Sequence, residues 1–117
     1  MILVVDDDVK IIELLSASLQ KDGYRVETAE NGMEAYDLVK SDDCKCMLLD
    51  VNMPKINGIE LLMLMQAEGV KVPTILMAAF DDFEEDEMKQ FPNVVEFLPK
   101  PFEMNRMIEA FHKHIRK

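Results

Sequence analysis

The chain has 117 residues, enough for one compact domain with its own apolar core, and we expect a single domain over residues 1–117. Its formal net charge of -10 disfavours nucleic acids and anionic membranes as partners, because both would repel an acidic surface. No apolar run approaches the roughly 20 residues that span a bilayer, and no basic signal-peptide segment opens the chain, so we expect a cytoplasmic location.

Apolar runs alternate with helical patterns along the chain. Residues 1–5 form a short apolar run that predicts a strand, and residues 9–21 follow with apolar side chains at helical spacing. The same alternation continues through the rest of the sequence. It predicts further strands at 25–29, 46–50, 74–79 and 94–98, and further helices at 31–40, 58–68, 81–90 and 103–116.

Five strands joined by connections of helical length indicate a parallel sheet with helices on both faces, since a parallel pair of strands needs such a connection. We therefore predict an α/β fold with a doubly wound, five-stranded parallel sheet. In such a sheet the functional crevice lies at the carboxyl ends of the strands. The candidate residues at these ends are 6–8, 50–52, 78–80 and Lys100.

Three aspartates are expected to meet at this edge of the sheet. Asp6 and Asp7 follow the first strand, and Asp50 ends the third. Carboxylates packed together repel one another unless a cation lies among them, and their oxygen atoms suit a hard divalent ion such as Mg²⁺ or Mn²⁺. Lys100 would approach from the fifth strand and contact a phosphoryl oxygen or a carboxylate. A carboxylate beside a metal and a lysine is a candidate nucleophile toward phosphorus.

Three sequence motifs make this prediction more specific. They are VVDDD at the first strand, LLDVNMPKINGIELL around Asp50, and FLPKPF at the fifth strand. With these motifs in this order and at these separations, the chain resembles the receiver domain of two-component response regulators over essentially its whole length. The resemblance implies a flavodoxin-like fold with strand order 2-1-3-4-5 and five helices.

The resemblance also implies a role for each residue of the predicted site. Asp50 would be the phosphoacceptor and would take a phosphoryl group from a phosphohistidine on a histidine kinase or histidine phosphotransfer protein. Mg²⁺ would be held by Asp50 itself, by Asp7 directly, by Asp6 through water and by the backbone carbonyl of Asn52. Such a domain signals through a downstream target protein and has no enzyme activity beyond its own phosphorylation and dephosphorylation.

The remaining positions of the family's site include two departures from its pattern. Lys100 would contact the phosphoryl oxygens, and its peptide bond to Pro101 would be cis. Ala78 stands where the family usually has a Thr or Ser whose hydroxyl moves to bind the phosphoryl group. Thr74 cannot replace that hydroxyl, because four residues of strand separate it from Ala78 by ~13 Å. Phe97 stands at the second switch position in place of the common Tyr and has no hydroxyl for a partner to contact.

Two apolar surfaces are candidates for partner binding. In the third predicted helix residues 61–65 are all apolar, so Met63 and Leu64 are expected to point away from the core. They would form a homodimer or partner face, or belong to a helix that is merely apolar on all sides. On the first helix, Ile11 and Leu14 would dock a helical, histidine-bearing partner beside the acidic site, or widen the core-facing side.

Three functional hypotheses follow. The first is a phosphoaccepting receiver that acts as a single-domain regulator or as a phosphorelay shuttle. The second is an interaction module that keeps the fold and the acidic pocket without switching, which Ala78 supports. The third is a small Mg²⁺-dependent phosphatase of the haloacid dehalogenase type. Its pattern, Asp-x-Asp-x-Thr/Val, would fall on Asp6, Asp8 and Lys10, fails at Lys10, and leaves the motif around Asp50 unexplained.

Overall fold

The computed structural model describes residues 1–53, 56–79 and 90–115. Five strands lie in this part of the chain: β1 (Ile2–Val5), β2 (Val26–Ala29), β3 (Cys46–Asp50), β4 (Thr74–Ala79) and β5 (Val94–Lys100). Four helices accompany them: α1 (Val9–Lys21), α2 (Gly32–Val39), α3 (Gly58–Glu68) and α4 (Met104–His114). The helix predicted at 81–90 lies outside the described residues. None of the described helices is long and apolar enough to cross a membrane.

The strands form one parallel sheet in the order β2-β1-β3-β4-β5. The predicted α/β class, the strand order and the flavodoxin-like architecture are therefore confirmed. The register brings the carboxyl ends of four strands level, as three pairs of residues show: Val5 with Leu49, Asp50 with Met77, and Ala79 with Lys100. Residues that follow these ends consequently share one edge of the sheet.

Apolar side chains cover both faces of the sheet and form two cores. Helices α2 and α3 pack on one face, and α1 and α4 pack on the other. Leu61 and Met65 are fully buried on the first face, and Leu15, Leu19 and Phe111 on the second. Since buried apolar surface contributes about 25 cal/mol per Å², these two cores stabilise the sheet and fix the positions of its strand ends.

Side chains at the helix starts fix the loops that leave the sheet. The Asp8 side chain accepts hydrogen bonds from the backbone N–H groups of Lys10 and Ile11 at the start of α1. Asn57 and Glu60 form a reciprocal capping box at the start of α3. Both caps lie close to the carboxyl edge of the sheet, so they restrain the loops that carry the candidate site residues.

The prediction that the fifth strand ends at residue 98 was wrong. The strand continues through Pro99 to Lys100 and pairs there with Ala78 and Ala79 of β4. Pro99 is tolerated because β5 lies at the edge of the sheet, where one side of the strand needs no partner. The longer strand makes Lys100 part of the sheet itself, beside the end of β4.

Candidate functional site

Three carboxylates converge at the carboxyl edge of the sheet. Asp50 is the last residue of β3, and Asp6 and Asp7 directly follow β1. Each of the three offers an oxygen atom that lies within 4.8 Å of the others. Asp6 and Asp50 are buried, whereas Asp7 is exposed. The site is therefore an acidic pocket with two inner carboxylates and one at its mouth.

Lys100 is the cation of this pocket. Its Nζ lies 3.1 Å from Oδ2 of Asp6 and 3.4 Å from Oδ1 of Asp50, so one ammonium group bridges the two buried carboxylates. The peptide bond between Lys100 and Pro101 is cis. The half-buried lysine side chain reaches the pocket from β5, on the far side of β4 from Asp50.

The electrostatics of the pocket leave Asp50 a weaker acid than usual. Burial, and then the neighbouring carboxylate of Asp6, raise the pKa of Asp50 to about 6. Lys100 and the backbone N–H of Asn52, which lies 3.3 Å from Oδ1 of Asp50, act in the opposite direction. Burial lowers the pKa of Lys100, but the carboxylates of Asp50 and Asp6 outweigh it and raise that pKa above its ordinary value.

The three consecutive aspartates 6–8 have different local roles. Asp6 accepts a hydrogen bond of 3.0 Å from the backbone N–H of Asp8 and forms an ion pair with Lys100. Asp7 faces solvent, and the Asp8 side chain caps α1. Asp8 does not belong to the carboxylate group, although the phosphatase hypothesis requires it as the second acid of the site. The local geometry thus disfavours that hypothesis.

The donor set of the pocket fits a hard divalent cation. Three carboxylates supply oxygen ligands, which Mg²⁺ and Mn²⁺ prefer, and the exposed position of Asp7 gives such an ion access from solvent. Asn52 lies at the same edge, two residues beyond Asp50, and its backbone N–H bonds to the Asp50 carboxylate. An ion bound there would compete with Lys100 for Asp6 and Asp50.

The two predicted switch positions face the same core. Ala78 is buried near the end of β4 among the side chains of the α2 and α3 face, and half-buried Phe97 packs against that same cluster. Thr74, at the opposite end of β4, donates its hydroxyl to the carbonyl of Val72 at 3.0 Å. The hydroxyl that the sequence lacks at position 78 is therefore not supplied by Thr74.

Sequence reasoning missed the role of Gly58. This first residue of α3 lies against the end of β3, and a Cβ at Gly58 would come within 2.6 Å of the carbonyl oxygen of Asp50 and 2.8 Å of Cα of Val51. Its N–H donates to the carbonyl of Val51 at 2.9 Å. The signal was present as a glycine at the start of a predicted helix, next to a capping Asn57. Only the packing shows that a side chain has no room there.

The four predicted partner-surface residues differ in exposure. Leu14 on α1 is 60% exposed, and Met63 and Leu64 on α3 are 57% and 37% exposed. Ile11 is half-buried and packs against the core formed by α1 and α4. Ile11 therefore belongs to the core-facing side of α1, as the second interpretation of this helix predicted. Packing against the core does not explain the exposed Leu14.

The sequence of this chain is similar to that of known response regulators. A family model described as the response regulator receiver domain matches residues 2–112. The curated relatives include the response regulator MprA of Mycolicibacterium vanbaalenii, 35% identical over 116 residues, and that of Mycobacterium tuberculosis H37Rv, 34% identical over 116 residues. In both cases the match covers 99% of this chain and 50% of the relative. The chain spans about half the length of the curated relatives it matches.

Solved structures give the same family. The response regulator TrrA of Thermotoga maritima, in complex with Mg(2+)-BeF, is 33% identical with a TM-score of 0.85 and covers 97% of both chains. The receiver domain of a Francisella response regulator is 26% identical with a TM-score of 0.85, covering 96% of this chain and 93% of that one. Chemotaxis protein CheY4 of Vibrio cholerae is 27% identical with a TM-score of 0.81, covering 97% of both. The chain therefore belongs to the response regulator receiver domains.

Proposed function

We propose that residues 1–117 act as one receiver domain that takes a phosphoryl group onto Asp50 from a phosphohistidine of a histidine kinase or histidine phosphotransfer protein. Mg²⁺ would be held by Asp6, Asp7 and Asp50 together with the backbone carbonyl of Asn52. The observation that carries the proposal is the bridging of two buried carboxylates by Lys100 beside the exposed Asp7. The domain would then signal by contact with a target protein.

The reaction balances with the groups present in the pocket. An ionised carboxylate oxygen of Asp50 forms a bond to phosphorus while the bond from phosphorus to the donor imidazole nitrogen breaks. The electron pair of that bond stays on the nitrogen, and the ring leaves as neutral imidazole because its other nitrogen already carries a proton in the phosphohistidine. Lys100 can move from Asp50 to the phosphoryl oxygens and offset their charge. A bound Mg²⁺ supplies further positive charge toward the transferring group. With a pKa of about 6, Asp50 is mostly ionised at neutral pH, as a nucleophile must be.

The comparison with TrrA supports the metal and the site. That protein, 33% identical to this chain, has been solved in complex with Mg(2+)-BeF. A beryllofluoride group is tetrahedral and stands in for a phosphoryl group. A receiver of the same fold thus binds Mg²⁺ together with an analogue of the phosphoryl group.

Ala78 favours a second candidate function, a receiver fold that binds its partner without phosphorylation. The buried methyl group offers no hydrogen bond to a phosphoryl oxygen, and such a bond to a charged group contributes roughly 1.5–3 kcal/mol. We expect this loss to weaken the phosphorylated conformation rather than the transfer itself, because transfer depends on Asp50 and the metal. The first function therefore remains the main proposal.

Intact-mass spectrometry after incubation with acetyl phosphate tests the proposal directly. We expect one phosphoryl adduct in the presence of Mg²⁺, none with EDTA, and none on Asp50→Asn. Asp42→Asn serves as the matched control, since Asp42 is an exposed aspartate outside the pocket, and it should label like the wild type. No adduct on a folded protein that binds Mg²⁺ would favour the interaction module. Recovery of labelling in Ala78→Thr would then trace the defect to the missing hydroxyl.

A further inference from the structure

Helix α3 carries more apolar residues than the core uses. Leu61, Leu62 and Met65 point into the core and are buried, which accounts for the packing of the helix on the sheet. Met63 and Leu64 lie between them in sequence and are 57% and 37% exposed. Much of the Met63 and Leu64 side chains stays exposed after folding, so packing of the core does not account for this second apolar side of α3.

The exposed side chains of α3 belong to a continuous surface. Ile56, Glu60, Met63, Leu64 and Ala67 line an open depression with a volume of about 460 Å³. The depression is open to solvent, and four of its five lining residues are apolar. A helix of 11 residues is about 16 Å long, which matches roughly three turns of a second helix laid along it.

Helix α2 begins next to this surface. A Cβ at Gly32 would lie 2.0 Å from the carbonyl oxygen of Ile56, so the start of α2 abuts the loop that precedes α3. The next residue, Met33, is 55% exposed. Farther along, the Tyr36 hydroxyl donates to the Glu68 carboxylate and ties the two helices together. We call Met33, Ile56, Met63, Leu64 and Ala67 the α2–α3 face.

The charged residues within helices α2 and α3 are all acidic. Helices α2 and α3 carry four exposed acidic residues and contain no Lys, Arg or His in their ranges Gly32–Val39 and Gly58–Glu68. The four acidic residues are Glu34, Asp37, Glu60 and Glu68. The cation that follows α2, Lys40, lies 4.0 Å above the ring of Tyr36. Glu60 lines the apolar depression itself, and the other three carboxylates lie elsewhere on the same two helices.

The apolar surface and the acidic residues of α2 and α3 together indicate which class of partner would bind there. A second copy of the chain would bring the same carboxylates and a net charge of -10 against the first, so self-association through this face is opposed by repulsion. A helix with one apolar side and flanking Lys or Arg residues matches both the depression and these acidic residues. Exposed methionines suit such a contact, because their flexible side chains adapt to the partner's surface.

We propose that the α2–α3 face docks a basic amphipathic helix of a partner protein. The face shares no residue with the acidic pocket, and its occupation does not require a phosphoryl group on Asp50. The inference therefore stands independently of the proposed phosphorylation.

Amide chemical shifts of the ¹⁵N-labelled protein, titrated with synthetic peptides, test this proposal. The probe is a Leu/Lys peptide whose leucines recur at helical spacing. The controls are a peptide of the same composition in scrambled order and a Leu/Glu peptide with the same spacing. We expect saturable shifts on α2 and α3 with the first peptide only, and weaker binding as salt is raised.

Variants locate the contact. Met63→Gln combined with Leu64→Gln should weaken binding by about tenfold or more. Leu14→Gln, which alters an exposed leucine on α1, should not. Circular dichroism confirms the fold of each variant, and the single change Met63→Gln replaces the pair if the pair unfolds. Binding should persist in Asp50→Asn, which separates this face from the phosphorylation site.

Three outcomes would overturn the proposal. They are shifts confined to α1, equal binding of the Leu/Glu or scrambled peptide, and a dimer of the free protein in sedimentation that the Met63 and Leu64 changes abolish. The last result would assign the α2–α3 face to a second copy of the chain.

Discussion

Burial of Asp50 beside Asp6 disfavours its ionised form when no metal is bound. The pKa of about 6 expresses this, because the folded protein holds the Asp50 proton more tightly than an unfolded chain whose aspartate titrates at 3.8. Between these two pH values the folded state binds more protons, so its stability falls as the pH rises. Above about pH 6 both states are ionised and the full cost of the buried charge remains.

Replacing Asp50 with Asn should therefore stabilise the metal-free protein, and should do so only at higher pH. At pH about 7.5 we expect the free energy of unfolding to rise by roughly 1–3 kcal/mol, since one pKa unit corresponds to about 1.4 kcal/mol. Near pH 4 the gain should vanish. Urea denaturation at both pH values, with EDTA present, measures it. The exposed control Asp42→Asn should show no such dependence, and an equal gain at both pH values would contradict the assigned cause.

The affinity for Mg²⁺ should fall as the pH is lowered through about 6. A proton on Asp50 competes with the metal for the same oxygen atoms, so the affinity should drop by up to about tenfold per pH unit below that value. Isothermal titration with MgCl₂ over this range measures the change. Asp50→Asn should bind more weakly and lose the pH dependence, and a wild-type affinity that stays constant with pH would remove Asp50 from the ligand set.

The sequence predicted those site residues that lie at or directly after the ends of strands. Asp6, Asp7, Asp50 and Lys100 were assigned to one edge of the sheet, and the structure brings all four together there. The sequence did not predict which of residues 6–8 lines the pocket and which caps α1. That depends on where α1 begins and on which carboxylate accepts hydrogen bonds from the N–H groups near its start.

At the scale of elements, the contact between α3 and the end of β3 positions the phosphoacceptor candidate. Gly58 is held against the main chain of Asp50 and Val51, and the capping box fixes the angle at which α3 leaves the loop. The bounds of α1, α3, β3 and β4 agree with the sequence prediction, because apolar periodicity and caps mark them. The end of β5 does not, since a proline normally suggests that a strand has ended.

Gly58→Ala should weaken Mg²⁺ binding at the site as well as lower the free energy of unfolding. The added methyl group has to displace the Asp50 carbonyl, so we expect a loss of about 1–3 kcal/mol in the free energy of unfolding together with weaker Mg²⁺ binding. Gly69→Ala is the matched control. It also costs about 1–2 kcal/mol, because Gly69 has a φ of 70°, but it has open space around it and lies at the far end of α3.

Chemical denaturation and Mg²⁺ titration of both glycine variants distinguish the two effects. Gly69→Ala should keep the wild-type Mg²⁺ affinity. Normal Mg²⁺ affinity in a folded Gly58→Ala variant would show that the contact with β3 is not needed to position Asp50.

At the scale of the whole molecule, a net charge of -10 on 117 residues opposes compaction. The melting temperature should accordingly rise by a few degrees as NaCl screens the surface carboxylates, and choline chloride should act in the same way. MgCl₂ at equal ionic strength should add a further rise in the wild type that Asp50→Asn largely loses. Differential scanning calorimetry measures all three, and an unchanged melting temperature across the NaCl series would refute the repulsion argument.

The overall architecture followed from the sequence because alternating apolar runs leave few topologies for a parallel sheet. What the sequence left open was the solvent-facing side of the helices. Residues 61–65 of α3 are uniformly apolar, so only the packed structure separates Leu61, Leu62 and Met65 from the exposed Met63 and Leu64.

The close contact of Gly58 with β3 also means that a movement of the strand end would displace helix α3. No methyl group fits between the Asp50 carbonyl and the start of α3. The main chains of β3 and α3 are therefore in direct contact, and a displacement of the strand end cannot be absorbed by empty space between them. Helix α3 is a stiff rod about 16 Å long whose first turn makes that contact and whose outer side carries Met63 and Leu64. A movement of the Asp50 main chain would therefore displace the start of α3 and, because the helix is stiff, change the position of its exposed side chains Met63 and Leu64.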